Sequence, residues 1–217
     1  MMKKQEPVMK CRTPETRIEL VQRYRLRPVT HVRLLAGQKK RSCTGDMLTD
    51  AYYCFAYEAM QGAEKGSFYC GSHAARHLLE LTGHAPLPLF NPLKAVDSGN
   101  GAGAGSGAGT GQGGGARKAW HPAAKQLSNA INLLVVCWNS PPGPALTAIQ
   151  EELENTTDRA PLLRQVKAIN TVISKDIKKR TLIKMLDDLS AGNDIKSYDF
   201  DLLNEILNQE SVVSHFG

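Results

Sequence analysis

An 18-residue stretch from Ser98 to Gly115 constrains the fold of the 217-residue chain more than any other feature, because ten of its residues are glycine. Such a segment has few side chains to bury, so it predicts a flexible linker rather than part of a core. We therefore expect four parts: a disordered basic tail over 1–16, a first module over 17–97, the linker over 98–115 and a second module over 116–217.

Positive charge is concentrated before the linker. Residues 1–41 hold 12 Lys and Arg against three acids, whereas residues 98–217 hold 12 of each sign. A basic segment attached to a neutral domain is typical of a protein that binds a polyanion, and nucleic acid is the first candidate. The alternative interpretation is a terminal tail that is simply solvated. The apolar fraction of 41% excludes a wholly disordered chain. No apolar stretch approaches the roughly 20 residues of a membrane helix, so no membrane partner is expected.

The first module is predicted to be a small basic α+β domain. Charged and apolar residues alternate over 23–27, which predicts a strand that Pro28 ends or places at a sheet edge. Helical steps over 46–61 predict one helix, and residues 72–81 predict another. The prolines of 86–92 predict an extended segment that crosses the domain surface.

The second module is predicted to be a bundle of four or five short-looped helices, so the fold as a whole is expected to be mostly α. Residues 122–138 and 145–154 predict the first two helices, and spaced apolar residues predict the rest. Basic residues dominate 160–186 and acidic residues dominate 187–210. The two charged stretches are expected to complement each other, and a free basic patch for a phosphate backbone is the alternative.

Two short cysteine motifs indicate a candidate zinc site that would staple the first module. Cys43 precedes Asp46 by three residues, and Cys70 precedes His73 by three. This spacing allows the two residues of each pair to bind the same metal ion. Cys54 is a further candidate ligand. The alternative is that the thiols are buried small side chains and the histidine lies on the surface.

Cys70 is also a candidate nucleophile with His73 as its base, because a helix N-terminus lowers the pKa of a thiol. The spacing of only three residues speaks against it, since a base normally comes from elsewhere in the fold. The five cysteines are an odd number in a chain that is large enough to fold without disulfides, and no secretory signal is evident. The expected location is therefore cytoplasmic, with thiols reduced.

Together these patterns favour a non-enzymatic nucleic-acid-binding or regulatory accessory protein. A protein–protein adaptor or oligomerisation protein that uses residues 116–217 is the second hypothesis, and a small Cys-dependent hydrolase or toxin-like effector is the third. Guanidinium and ammonium groups bind the phosphate groups of nucleic acids. The basic residues predicted to contact nucleic acid are Arg23, Arg25, Arg27, Arg33, Lys39, Lys40 and Arg41.

Overall fold

The computed structural model describes residues 9–94 and 119–217, and within these ranges the chain is a mixed α+β protein. The prediction of a mostly α fold is therefore wrong. Among the described residues, no helix combines the length and the apolar character that crossing a bilayer requires. In chain order, the elements are α1 (Pro14–Arg23), β1 (Tyr24–Arg33), β2 (Lys40–Arg41), β3 (Met47–Leu48), β4 (Ala51–Ala59), β5 (Lys65–Cys70), α2 (Ser72–Thr82), α3 (Pro122–Trp138), α4 (Pro144–Asn155), α5 (Leu163–Ser174), α6 (Leu182–Ser190) and α7 (Asp201–Asn208).

The main sheet has three antiparallel strands in the order β1-β4-β5, and β2 pairs with β3 in a separate hairpin. The helix predicted over 46–61 is wrong, because this stretch contains β3 and the central strand β4. In β4, Tyr52 and Cys54 belong to one buried cluster, whereas Tyr53 and Phe55 belong to another. A strand that is buried on both faces loses the alternation of a half-exposed strand, so its sequence resembles a buried helix.

β1 is an edge strand that continues through Pro28, which confirms the edge placement predicted from that proline. A bulge between Pro28 and Thr30 reverses which residues face each side of the sheet. Helix α1 precedes β1, where the sequence analysis predicted no helix and a disordered tail up to residue 16. Its first turn carries a reciprocal cap, because Thr13 and Thr16 each accept a hydrogen bond from the other's backbone N–H.

Side chains cover both faces of the main sheet. On one face, Phe55 of β4 packs in a cluster with Leu78 of α2 and residues of α1. On the other face, Val32 and Tyr52 belong to the same cluster as Leu127 of α3 and the apolar residues of α4 to α7. The segments on either side of the glycine-rich stretch therefore share one core. That stretch, predicted to be a linker over 98–115, lies outside the described residues, and its role as a domain boundary stays a prediction.

The helices predicted in the second half are confirmed. The predicted span 122–138 is that of α3, and α4 to α7 follow the predicted apolar steps. The extended segment over 86–92 is also confirmed, and it lies along the edge of β1, where Phe90 pairs with Val32. The tail predicted over 1–16 is described only from residue 9, and there the chain is ordered enough to bury Cys11 and begin α1.

Candidate interaction surface

The seven basic residues predicted to bind nucleic acid do not form a single surface. Arg27 pairs with Glu151 of α4, and Arg33 pairs with Asp50, so acids of the same chain offset both charges. The bulge in β1 also places Arg27 and Arg33 on opposite faces of the sheet, because their partners Ala56 and Ala51 lie an odd number of residues apart in β4.

Lys40 has a structural role instead of facing solvent. Its Nζ donates a hydrogen bond of 2.7 Å to the carbonyl oxygen of Asn139, at the end of α3. The same Nζ lies 4.8 Å from the ring centroid of Tyr69, close enough for a cation–π contact. Burial lowers the pKa of Lys40. The side chain therefore fastens the β2–β3 hairpin to the helices of the second half.

The other four basic residues are exposed: Arg23, Arg25, Lys39 and Arg41. None of them pairs with an acid of residues 9–94 or 119–217. They lie in two groups, since Arg25 is in register with Glu58 and Lys65 at one end of the sheet, while the hairpin that carries Arg41 meets β5 at Tyr69. Four residues of strand separate these positions, which is about 13 Å. Two small basic patches replace the single surface that the sequence predicted.

The cysteines do not form the predicted zinc staple, and this part of the fold prediction is wrong. Among the described residues, no group of three His, Cys, Asp or Glu side chains is arranged to hold a metal ion. Cys43 forms a disulfide with Cys11. Cys54 and Cys70 are fully buried in different clusters on opposite faces of the sheet, and His73 is exposed on α2. The zinc cofactor itself stays a prediction.

Cys70 lacks the surroundings of a nucleophile. Its side chain is fully buried, and burial raises the pKa of the thiol far above its ordinary value. A reactive cysteine needs the opposite, a lowered pKa with access to solvent. Arg17, a buried arginine, opposes this rise only weakly, because burial has the larger effect on the pKa of Cys70. The Nε of Arg17 donates to the carbonyl oxygen of Cys11 at 2.9 Å, so it holds the segment before α1 in place.

The most distinctive surface lies in the connection from α5 to α6, residues 175–181, which we call the basic loop. Asp176 is its centre and is only 4% exposed. One carboxylate oxygen accepts hydrogen bonds from the backbone N–H groups of Lys178 and Arg180, at 3.0 and 3.2 Å. The other accepts from Trp138 Nε1 at 3.2 Å and from the Arg180 guanidinium at 3.0 Å. These bonds hold the pKa of Asp176 well below its usual range.

The backbone of the basic loop is strained as well as tightly held. Lys179 has φ of +55°, the left-handed region that non-glycine residues occupy at a cost of about 1 kcal/mol. Its N–H donates to the carbonyl oxygen of Asp176 at 2.9 Å, which closes the turn. Strained residues persist where surrounding contacts fix them, and they cluster at binding sites.

This rigid loop presents an isoleucine to solvent. Ile177 is 96% exposed, the highest value among the large apolar side chains of the described residues. The exposed lysines Lys175, Lys178 and Lys179 surround it in sequence, and none of the three pairs with an acid of the described chain. An adjacent cleft of about 650 Å³ runs between this loop and the end of α3, where Trp138 and Val172 supply apolar lining.

These features define a mixed α+β protein with a rigid basic loop and an apolar cleft on its helical side. The chain belongs to the family described as "Uncharacterised conserved protein UCP028583", whose model matches residues 11–213. That match spans the sheet, the basic loop and all of the shared core except Phe216. Neither the curated proteins nor the solved structures gave a match.

Proposed function

We propose that the protein is a non-enzymatic adaptor that acts by binding another protein through the basic loop and the adjacent cleft. The single observation that carries this proposal is the exposure of Ile177 on a loop that Asp176 fixes from inside. An exposed apolar side chain on a flexible loop is unremarkable, but a fixed one beside an apolar cleft is typical of a binding anchor.

A displayed library of random 16-residue peptides, selected on the immobilised full chain, tests the adaptor function. We expect enriched peptides that lose binding to the Ile177→Ser variant. Val213→Ser is the matched control, because Val213 is also an exposed aliphatic residue, at 76%, and it lies outside the cleft. Peptides that bind both variants equally, or no enrichment at all, would overturn the proposal.

Nucleic-acid binding is the second candidate function, supported by the exposed cations Arg23, Arg25, Lys39 and Arg41, which form no salt bridge with any residue that the structure describes. Because two separated patches contact fewer phosphates than one continuous basic surface, we expect weak, sequence-independent binding that salt abolishes. Fluorescence anisotropy with a 20-nucleotide RNA and a 20-base-pair DNA, each at low and at physiological salt, measures this binding. An Arg23→Ala/Arg25→Ala variant that binds as tightly as the wild type would exclude the first patch.

A further inference from the structure

We infer that the basic loop and its cleft bind an acidic protein segment that carries an apolar anchor residue. This inference rests on the proposed adaptor function and adds the chemistry of the partner. Acidic side chains of the partner pair with Lys175, Lys178 and Lys179, and its apolar side chain enters the cleft between Trp138 and Ile177.

Charge at the site favours an acidic partner. The charge of Arg180 is neutralised within the chain, because its guanidinium donates hydrogen bonds to Asp176 and, at 2.9 Å, to Asp188. None of the three lysines forms a salt bridge with an acid of the described residues, and Lys178 acts on Asp188 only at longer range, so their charge is available to a partner. Complementary charge of this kind raises the association rate and rejects basic competitors.

The shape of the site favours a protein segment over the two other anionic partners, a membrane and a nucleic acid. The cleft of about 650 Å³ has apolar walls at Trp138 and Val172, which can contact an apolar side chain that projects from a peptide. The surface of a bilayer would contact Ile177 and the lysines but would leave the cleft beside Trp138 unfilled. A phosphate backbone would pair with the lysines but would leave Ile177 exposed to water.

The fixed geometry of the loop also favours binding. Asp176 holds the backbone of Lys178 and Arg180, so the lysines and Ile177 are placed before the partner arrives. Binding therefore orders only side chains, which reduces the conformational entropy that association loses. Truncation of Ile177 removes the central apolar contact, whereas reversal of lysine charge removes the electrostatic attraction.

The test uses a fluorescent 16-residue amphipathic peptide of Glu and Leu and the full-length protein. We expect saturable binding that falls at least about tenfold in Ile177→Ser, in Lys175→Glu/Lys178→Glu and with a peptide that has Ser in place of Leu. Lys65→Glu is the matched control, because Lys65 is an exposed lysine on β5, away from the loop. A Lys/Leu peptide should bind the charge-reversed variant, and far-UV circular dichroism verifies that each variant is folded.

Other outcomes overturn the inference in distinguishable ways. Equal binding of a Gln/Leu peptide, with Ile177 still required, would refute the acidic partner and leave the adaptor function standing. Binding of phosphatidylglycerol vesicles or duplex DNA in an Ile177-dependent manner, with no binding of the Glu/Leu peptide, would assign the site to that class of partner instead. If none of these peptides, vesicles or nucleic acids binds in an Ile177-dependent manner, both the inference and the adaptor function are refuted.

Discussion

Replacement of Asp176 by Asn should destabilise the protein by about 2–4 kcal/mol, the range for removing one partner of a buried charged network. Both carboxylate oxygens of Asp176 accept hydrogen bonds, from two backbone N–H groups, from the Trp138 indole and from the Arg180 guanidinium. An Asn side chain keeps the shape but turns an NH₂ group toward these donors. It also leaves Arg180, which is 20% exposed, with a single acid.

Urea unfolding, followed by tryptophan fluorescence, measures this effect. The matched control is Asp188→Asn, which removes the other acid of Arg180 at a half-exposed site and should change stability much less than Asp176→Asn does. A loss below about 0.5 kcal/mol for Asp176→Asn, or an equal loss for both variants, would refute the argument that Asp176 holds the basic loop.

The pH dependence of the same pair has a definite direction. Folding lowers the pKa of Asp176, so the charged form stabilises the native state fully above the unfolded pKa of about 3.9. This contribution is lost as the pH falls from there through the lower pKa of the folded protein. The stability difference between wild type and Asp176→Asn should therefore be constant near neutrality and shrink below about pH 4. A difference that stays unchanged down to pH 3 would contradict the assigned role.

Three further variants test other parts of the structure. Cys11→Ser removes a disulfide that closes a separation of 32 residues and should cost about 3–4 kcal/mol, while thiol titration of the unfolded wild type should find three free thiols instead of five. Lys40→Met keeps the aliphatic stem but loses the bond to Asn139 and the contact with Tyr69, so its midpoint in urea should correspond to a loss of about 1–2 kcal/mol. Thr13→Ala removes the cap of α1 and should cost about 1 kcal/mol in the same assay, with no change if that helix is uncapped in solution.

The sequence was informative where burial was one-sided. Helices α5 and α6 carry apolar residues on one stripe, so their period alone located them. Strand β4 is buried on both faces and gave no such period, which explains its assignment as a helix. The signal for α1 was present in Thr13, Pro14 and Thr16, a cap followed by a proline in the first turn, but the alternating arginines that follow obscured it.

Only part of the basic loop could be predicted from the sequence. The basic character of residues 160–186 was evident, and Asp176 was the only acid among them. The sequence did not indicate that Asp176 is buried under Trp138, 38 residues away, or that Ile177 lies outside the apolar stripe of α5. The arginines of β1 failed as a predicted surface for the same reason, since Glu151 and the bulge are visible only in three dimensions.

The shared core has a consequence for how the chain matures on the ribosome. Val32, Leu34 and Tyr52 are synthesised early, yet the helices that shield them begin only at residue 122. Until these helices are synthesised, the nascent chain exposes the apolar face of the sheet. It is then prone to aggregation or to binding by a chaperone. Premature termination anywhere before α3 would make this exposure permanent, so a shortened product should be degraded rather than act as a smaller functional protein.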